Sequence, residues 1–167
     1  MLTMEAMRKR QAIKDDPKLL TLVQAWWDER QIKEEGDPNS MNKEAYIILS
    51  TALHKKCVPD VSDKDALAAA KRDWLEDCPD GESERMEFDD FYKSMFELCD
   101  TWIDGTDFNA HQHLMREFAA HHKFAAQQEL DRREREAAAR AAAAAEYVLR
   151  MQEMAAAVAM AAAQSAQ

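Results

Sequence analysis

The chain has 167 residues, room for one compact domain and an appendage, with 22 Lys+Arg against 32 Asp+Glu for a net charge of −10. Only three Gly and four Pro, with abundant Ala, Glu, Lys, Met and Leu and few β-branched residues, predict an all-α chain with almost no strand. The acidic balance argues against nucleic-acid or anionic-membrane binding, both of which call for a basic face.

The charge is concentrated. Lys/Arg against Asp/Glu number 7 and 7 in residues 1–36, 8 and 18 in 37–107, and 7 and 7 in 108–167. An acidic middle between two neutral arms reads either as a solvated surface or as a face for a basic partner. Cys57, Cys78 and Cys99 are odd in number and far apart, so no CxxC pair exists and they read as reduced, intracellular thiols. No apolar leader opens the chain, and no run reaches the roughly 18 apolar residues needed to span a bilayer, so a soluble, cytoplasmic protein is expected.

Residues 1–16 form an N-terminal arm in which Met1, Leu2, Met4 and Met7 accompany the basic triplet Arg8, Lys9 and Arg10. The arm reads either as an amphipathic docking helix for an acidic partner or as a disordered tail. Asp16-Pro17 opens the first long helix, whose Leu19, Leu20, Leu22, Val23, Trp26 and Trp27 make a broad apolar stripe. After a polar loop holding Gly36 and Asp37-Pro38, a helix is expected from Met41 to Cys57. Ser62 or Asp63 can cap the next, from about Asp65 to Asp77, with Leu67, Ala70, Trp74 and Leu75 facing inward. A further helix, Phe88 to Trp102, carries Phe91, Met95, Phe96, Cys99 and Trp102 at helical spacing, and such a stripe is core. Gly36, Met41 and Tyr46 are spaced like Gly81, Met86 and Phe91 at an offset of 45 residues, the mark of a duplicated supersecondary unit.

The acidic loop between Trp74 and Phe91 has the outline of an EF-hand, which needs carboxylates at alternate positions, a turn glycine at 6, an apolar residue at 8 and a bidentate Glu at 12. Two registers compete. With Gly81 at position 6, Glu76, Asp80, Glu84 and Glu87 fall at 1, 5, 9 and 12, while Cys78 takes 3 and Ser83 takes 8. With Met86 at position 8, Pro79 takes 1 and Glu84 replaces the glycine. A third, weaker loop centred on Gly105 places Asp100 and Asp104 at 1 and 5, but Trp102 at 3 and His111 at 12. None completes an oxygen cage, so no metal or other cofactor is expected, and these carboxylates are the ligands only if calcium binds.

Asn109 and Gln112 match a relaxed capping box, and no Gly or Pro follows. One helix from Asn109 is expected, about 55 residues and roughly 80 Å long. From residue 137 it is Ala-rich, and Tyr147, Met151, Met154 and Val158 draw a 4-3-4 stripe suited to a partner helix. His111, His113, His121 and His122 crowd its start without HExxH spacing, so exposed or partner-facing roles are expected for them rather than a metal site. The chain contains no nucleophile elbow, Walker loop, GxGxxG or kinase signature, so no catalytic activity is expected.

Asp73-Trp74, Asp77, Gly81, Met86, Phe91, the run Met95 to Trp102, and Phe108 resemble the calmodulin-like EF-hand superfamily, and more narrowly a degenerate branch found in ciliary and flagellar axonemal proteins. The resemblance covers about residues 17 to 120. It implies paired EF-hand-like units over 17–108, followed by the long helix of 109–167. It also implies a structural adaptor in a microtubule-associated axonemal assembly, with tubulin or axonemal proteins as partners. Departure at the ligand positions sets this apart from the alternative, a calcium-responsive sensor or light-chain-like subunit.

Overall fold

A computed structural model describes residues 3–29, 39–78 and 85–165. They form an all-α fold with six helices among the described residues: α1 (Met4–Lys14), α2 (Pro17–Glu29), α3 (Lys43–Cys57), α4 (Asp63–Asp77), α5 (Phe88–Trp102) and α6 (Phe108–Ser165). Two three-residue strands, β1 (Ser40–Asn42) and β2 (Arg85–Glu87), pair antiparallel with Met41 opposite Met86.

The duplication is explicit in the element bounds. Adding 45 to the limits of β1 and α3 gives those of β2 and α5. The first helices align at an offset of 47, with buried Leu19, Val23 and Trp27 matched by buried Ala66, Ala70 and Trp74. Among the described residues each unit is thus a helix, a three-residue strand and a second helix, and the paired strands join the two units. Met41, expected as helix, is instead the centre of β1, because its backbone pairs across to Met86 and Asn42 starts α3 by accepting from the Ala45 N–H.

The other starts follow from capping. Asp16 Oδ1 accepts from the Lys18 N–H at the head of α2, and Ser62 Oγ accepts from the Asp65 N–H at the head of α4. At α6 the capping side chain is Asp107, whose Oδ1 accepts from the Asn109 N–H, so the helix begins at Phe108 and the expected Asn109–Gln112 box is not the cap. Gly105, just before it, has φ +103, a left-handed conformation that L side chains rarely adopt.

Met1–Gln127 form one compact unit and Gln128–Gln167 a second. The core lies in the first. Trp26 meets Phe91 edge-on at 5.2 Å between ring centroids, Trp27 tilts against Phe91 at 5.1 Å, and Tyr46 meets Trp74 at 5.3 Å. Met115 and Phe118 of α6 complete it, so the compact unit takes in the first turns of the long helix. Several expected core residues face outward instead: Leu20, Leu67 and Trp102 are exposed, and Leu75 is 58 % exposed. On α4 the inward row is Ala66, Ala70 and Trp74, a 4-4 spacing that leaves Leu67 and Leu75 on the flanks.

Candidate interaction sites

The carboxylates that would serve a calcium loop are dispersed. Asp80 and Glu84, with Gly36 and Gly81, lie outside the described residues. Glu76 is exposed on the last turn of α4, and Glu87 is exposed at the N-cap of α5 with no side-chain capping bond. Asp104 is exposed before α6. Asp100 is otherwise engaged: its Oδ1 accepts from Arg10 Nε at 2.9 Å, and His111 Nε2 lies 3.4 Å away. Among the described residues no group of three or more His, Cys, Asp or Glu is arranged to hold a metal ion.

The N-terminal arm is a helix, capped by Thr3, and it is fastened to α5. Its Ile13 is buried, the Tyr92 hydroxyl donates to the Lys14 carbonyl, and Lys14 Nζ stands 5.7 Å over the Phe96 ring. Arg10 is engaged within the chain by its pairing with Asp100. Lys9 pairs with Glu5 one turn earlier, and Arg8 is exposed on the same helix.

The histidines divide in a way the sequence did not foretell. His111 and His122 are buried, His121 is half-buried and only His113 is exposed. Trp26 Nε1 donates to His122 Nδ1 at 2.9 Å, which requires that nitrogen to be unprotonated. Burial, with His121 as a lesser influence, pushes the His122 pKa down to about 4. His121 Nε2 donates to the Ala52 carbonyl at 3.1 Å, and Phe96 stacks on His111. These rings tie α6 to the lobe, a structural use in place of the exposed one expected.

Sequence reasoning missed a polar cleft of about 210 Å³ between α3, α4 and α5. Asp73 and Asp77 stand one turn apart on α4, and each collects two donors. Asp77 Oδ2 accepts from the Tyr46 hydroxyl and from Ser94 Oγ at 2.5 Å; Asp73 Oδ2 accepts from Ser50 Oγ at 2.8 Å and His54 Nε2 at 2.6 Å. Since a carboxylate only accepts, His54 carries its proton on Nε2. Burial first, then the neighbouring Asp77 charge, pushes the Tyr46 phenol well above its usual range, so it stays a donor. Ser50 and His54 both address one oxygen rather than each other, so the trio lacks the nucleophile-to-base contact that acyl-transfer chemistry needs. The arrangement clamps α3 and α5 onto α4. Its signal in the sequence is Tyr46, Ser50 and His54 at i, i+4, i+8 beside Asp73 and Asp77 at i, i+4: polar groups recurring inside apolar helices.

The second unit is helix alone. Tyr147, Met151, Met154 and Val158 are all exposed, as the stripe requires, and so are Val148, Leu149 and Met160. Just before them, Glu129 accepts from Arg132 and Arg133, which hold its carboxyl down at about 2 against the opposing effect of partial burial. Among the described residues no helix is long and apolar enough to cross a membrane.

No protein-family model matches the sequence, and neither a curated protein nor a solved structure is significantly similar to it.

Proposed function

We propose that the chain is a non-catalytic adaptor subunit of a ciliary or flagellar axonemal, microtubule-associated assembly, in which a calcium-silent EF-hand-like lobe and the terminal helices hold neighbouring proteins. The observation that carries this reading is the ladder with Met41 opposite Met86. In an EF-hand pair the apolar residues at position 8 of the two loops meet in this way. Counting from them, position 12 falls on Ala45 in the first unit and Asp90 in the second, and position 1 of the second falls on Pro79. Ala45 is buried and has no side-chain carboxylate where a bidentate Glu is needed. Apolar residues paired at the two places an EF-hand pair would use, beside an incomplete set of ligand carboxylates, favour a scaffold over a sensor.

Two measurements test this. Calcium titration of the purified chain by calorimetry should give no heat in the sensor range of about 10⁻⁷–10⁻⁵ M. A micromolar isotherm abolished by Asp90→Asn, the residue at position 12 of the second unit in this register, overturns the adaptor in favour of the sensor. Tagged full-length chain expressed in ciliated cells should remain with the detergent-extracted axoneme and co-purify with axonemal proteins. Complete release with the detergent-soluble fraction contradicts the placement.

A further inference from the structure

Helix α1 is built to stand apart from the helix that follows it. Thr3 Oγ1 accepts from the Ala6 N–H at its start, and at its end the Asp15 and Asp16 N–H groups donate back to the Gln11 and Ile13 carbonyls. Pro17, which opens α2, has no N–H to offer α1. The start of α2 is satisfied from Asp16 alone, whose side chain accepts from the Lys18 N–H and whose carbonyl accepts from those of Leu19 and Leu20. Neither helix therefore needs the other to close its own hydrogen bonds.

What holds α1 to the lobe lies in its last turns. Of its eleven residues only Ile13 is buried, and Met4 and Met7 toward the other end are exposed. Arg10 Nε donates to Asp100 Oδ1 at 2.9 Å, with both side chains still partly open to water. The Tyr92 hydroxyl donates to the Lys14 carbonyl, and Lys14 Nζ stands over the Phe96 ring. Burial first, then the charges of Asp15 and Asp16, pushes the Tyr92 phenol up to about 12, so it stays a donor to that carbonyl. One buried side chain and a partly solvated ion pair put α1 at the low-stability end of the molecule. The neighbouring contact of α2 with α5 is of another kind, since Trp26 and Trp27 both pack on buried Phe91. A helix of eleven residues is also shorter than the roughly 12–15 at which isolated helices are marginal in water, so α1 keeps its form only while docked.

We infer that α1 is a releasable strap with the Arg10–Asp100 pair as its latch. It lets go of α5 and unwinds, turning at Asp15–Asp16, while α2 to α6 stay folded, and its release uncovers Tyr92 and Phe96. This holds whatever assembly the chain serves.

The three tyrosines of the chain report the state of the strap. Tyr147 is exposed, Tyr46 lies in the core, and Tyr92 lies against the end of α1. Full-length chain is treated with N-acetylimidazole, the acetylated sites are read by mass spectrometry, and amide hydrogen exchange is followed in parallel. Tyr147 should react fast, Tyr46 should be protected and Tyr92 should fall between them. Amides of residues 4–14 should exchange at least about tenfold faster than those of α3 and α5. Arg10→Met keeps most of the stem and removes the donor; it should raise Tyr92 acetylation and α1 exchange together, by about threefold or more, with Tyr46 and α3 unchanged. Exchange of α1 as slow as that of α3 makes it a fixed part of the lobe and overturns the inference. Acceleration that reaches Tyr46 and α3 equally is global unfolding and overturns it too. No response of Tyr92 and α1 to Arg10→Met, at whatever parent rate, shows that the pair does not hold the helix and contradicts the latch.

Discussion

Phe91 touches both Trp26 and Trp27 and is almost completely buried, so few residues have more to lose by truncation. Phe91→Ala should cost about 3–5 kcal/mol, a large part of the roughly 5–15 kcal/mol that holds a domain folded. Urea denaturation followed by tryptophan fluorescence reads it, and an unchanged midpoint contradicts the packing described. His122 gives a pH dependence of definite sign. Its folded pKa of about 4 lies below its ordinary 6.5, so the unfolded chain takes up the proton first as pH falls. Its contribution to stability is intact above pH 6.5 and is lost down to about pH 4, at a cost on the order of 3 kcal/mol. Stability measured from pH 7 to pH 4 should fall more steeply for the parent than for His122→Gln; parallel curves would show that the Trp26–His122 bond carries no such linkage. The burial of Phe91, Phe96, Trp27 and Trp74 was legible from helical spacing. The burial of His111 and His122 was not, because a polar ring buried by one distant donor or one stacked phenyl leaves no periodic trace in sequence.

At the level of elements, the duplicated unit was readable from three residue pairs 45 apart, and the structure carries that offset into the limits of a strand and a helix. The short strands themselves were harder to read. Three residues are too few to show alternation, and Met41 stands one residue before an equally plausible helix start. The two helices reached through the strands differ in a testable way. Asn42 caps α3 with its side chain, whereas Glu87 at the equivalent place in α5 makes no capping bond. Asn42→Ala should therefore cost about 1 kcal/mol, and Glu87→Asn should stabilise by a comparable or smaller amount. Thermal melts of both variants check this; destabilisation by Glu87→Asn would mean the two starts are not equivalent. The inward face of α4 was misread for a related reason. Leu67 and Leu75 are larger than Ala66 and Ala70, but the row in register with Trp74, which packs against Tyr46, is the alanine row, and size alone does not show which row turns inward.

Over the whole molecule, the aromatic and aliphatic core is confined to the Met1–Gln127 unit, and the second unit contributes exposed helix. The long helix was legible because nothing after Asn109 breaks it, and Ala-rich sequence of that length is helical by propensity. Where the compact unit ends was not legible, since the first turns of α6 read the same whether they pack on the lobe or not. Met115, Phe118 and the buried histidines decide that point only in three dimensions. The charge excess of residues 37–107 falls in this same unit, where part of it is used internally by Asp73, Asp77 and Asp100. In the proposed adaptor, a self-sufficient lobe is held in its assembly by the Ala-rich helix. Removing residues 137–167 tests it directly, with thermal unfolding of the purified remainder and its incorporation into axonemes measured side by side. An unchanged lobe transition with a marked loss of incorporation is expected; incorporation at the level of the full chain overturns the docking role of the Ala-rich helix.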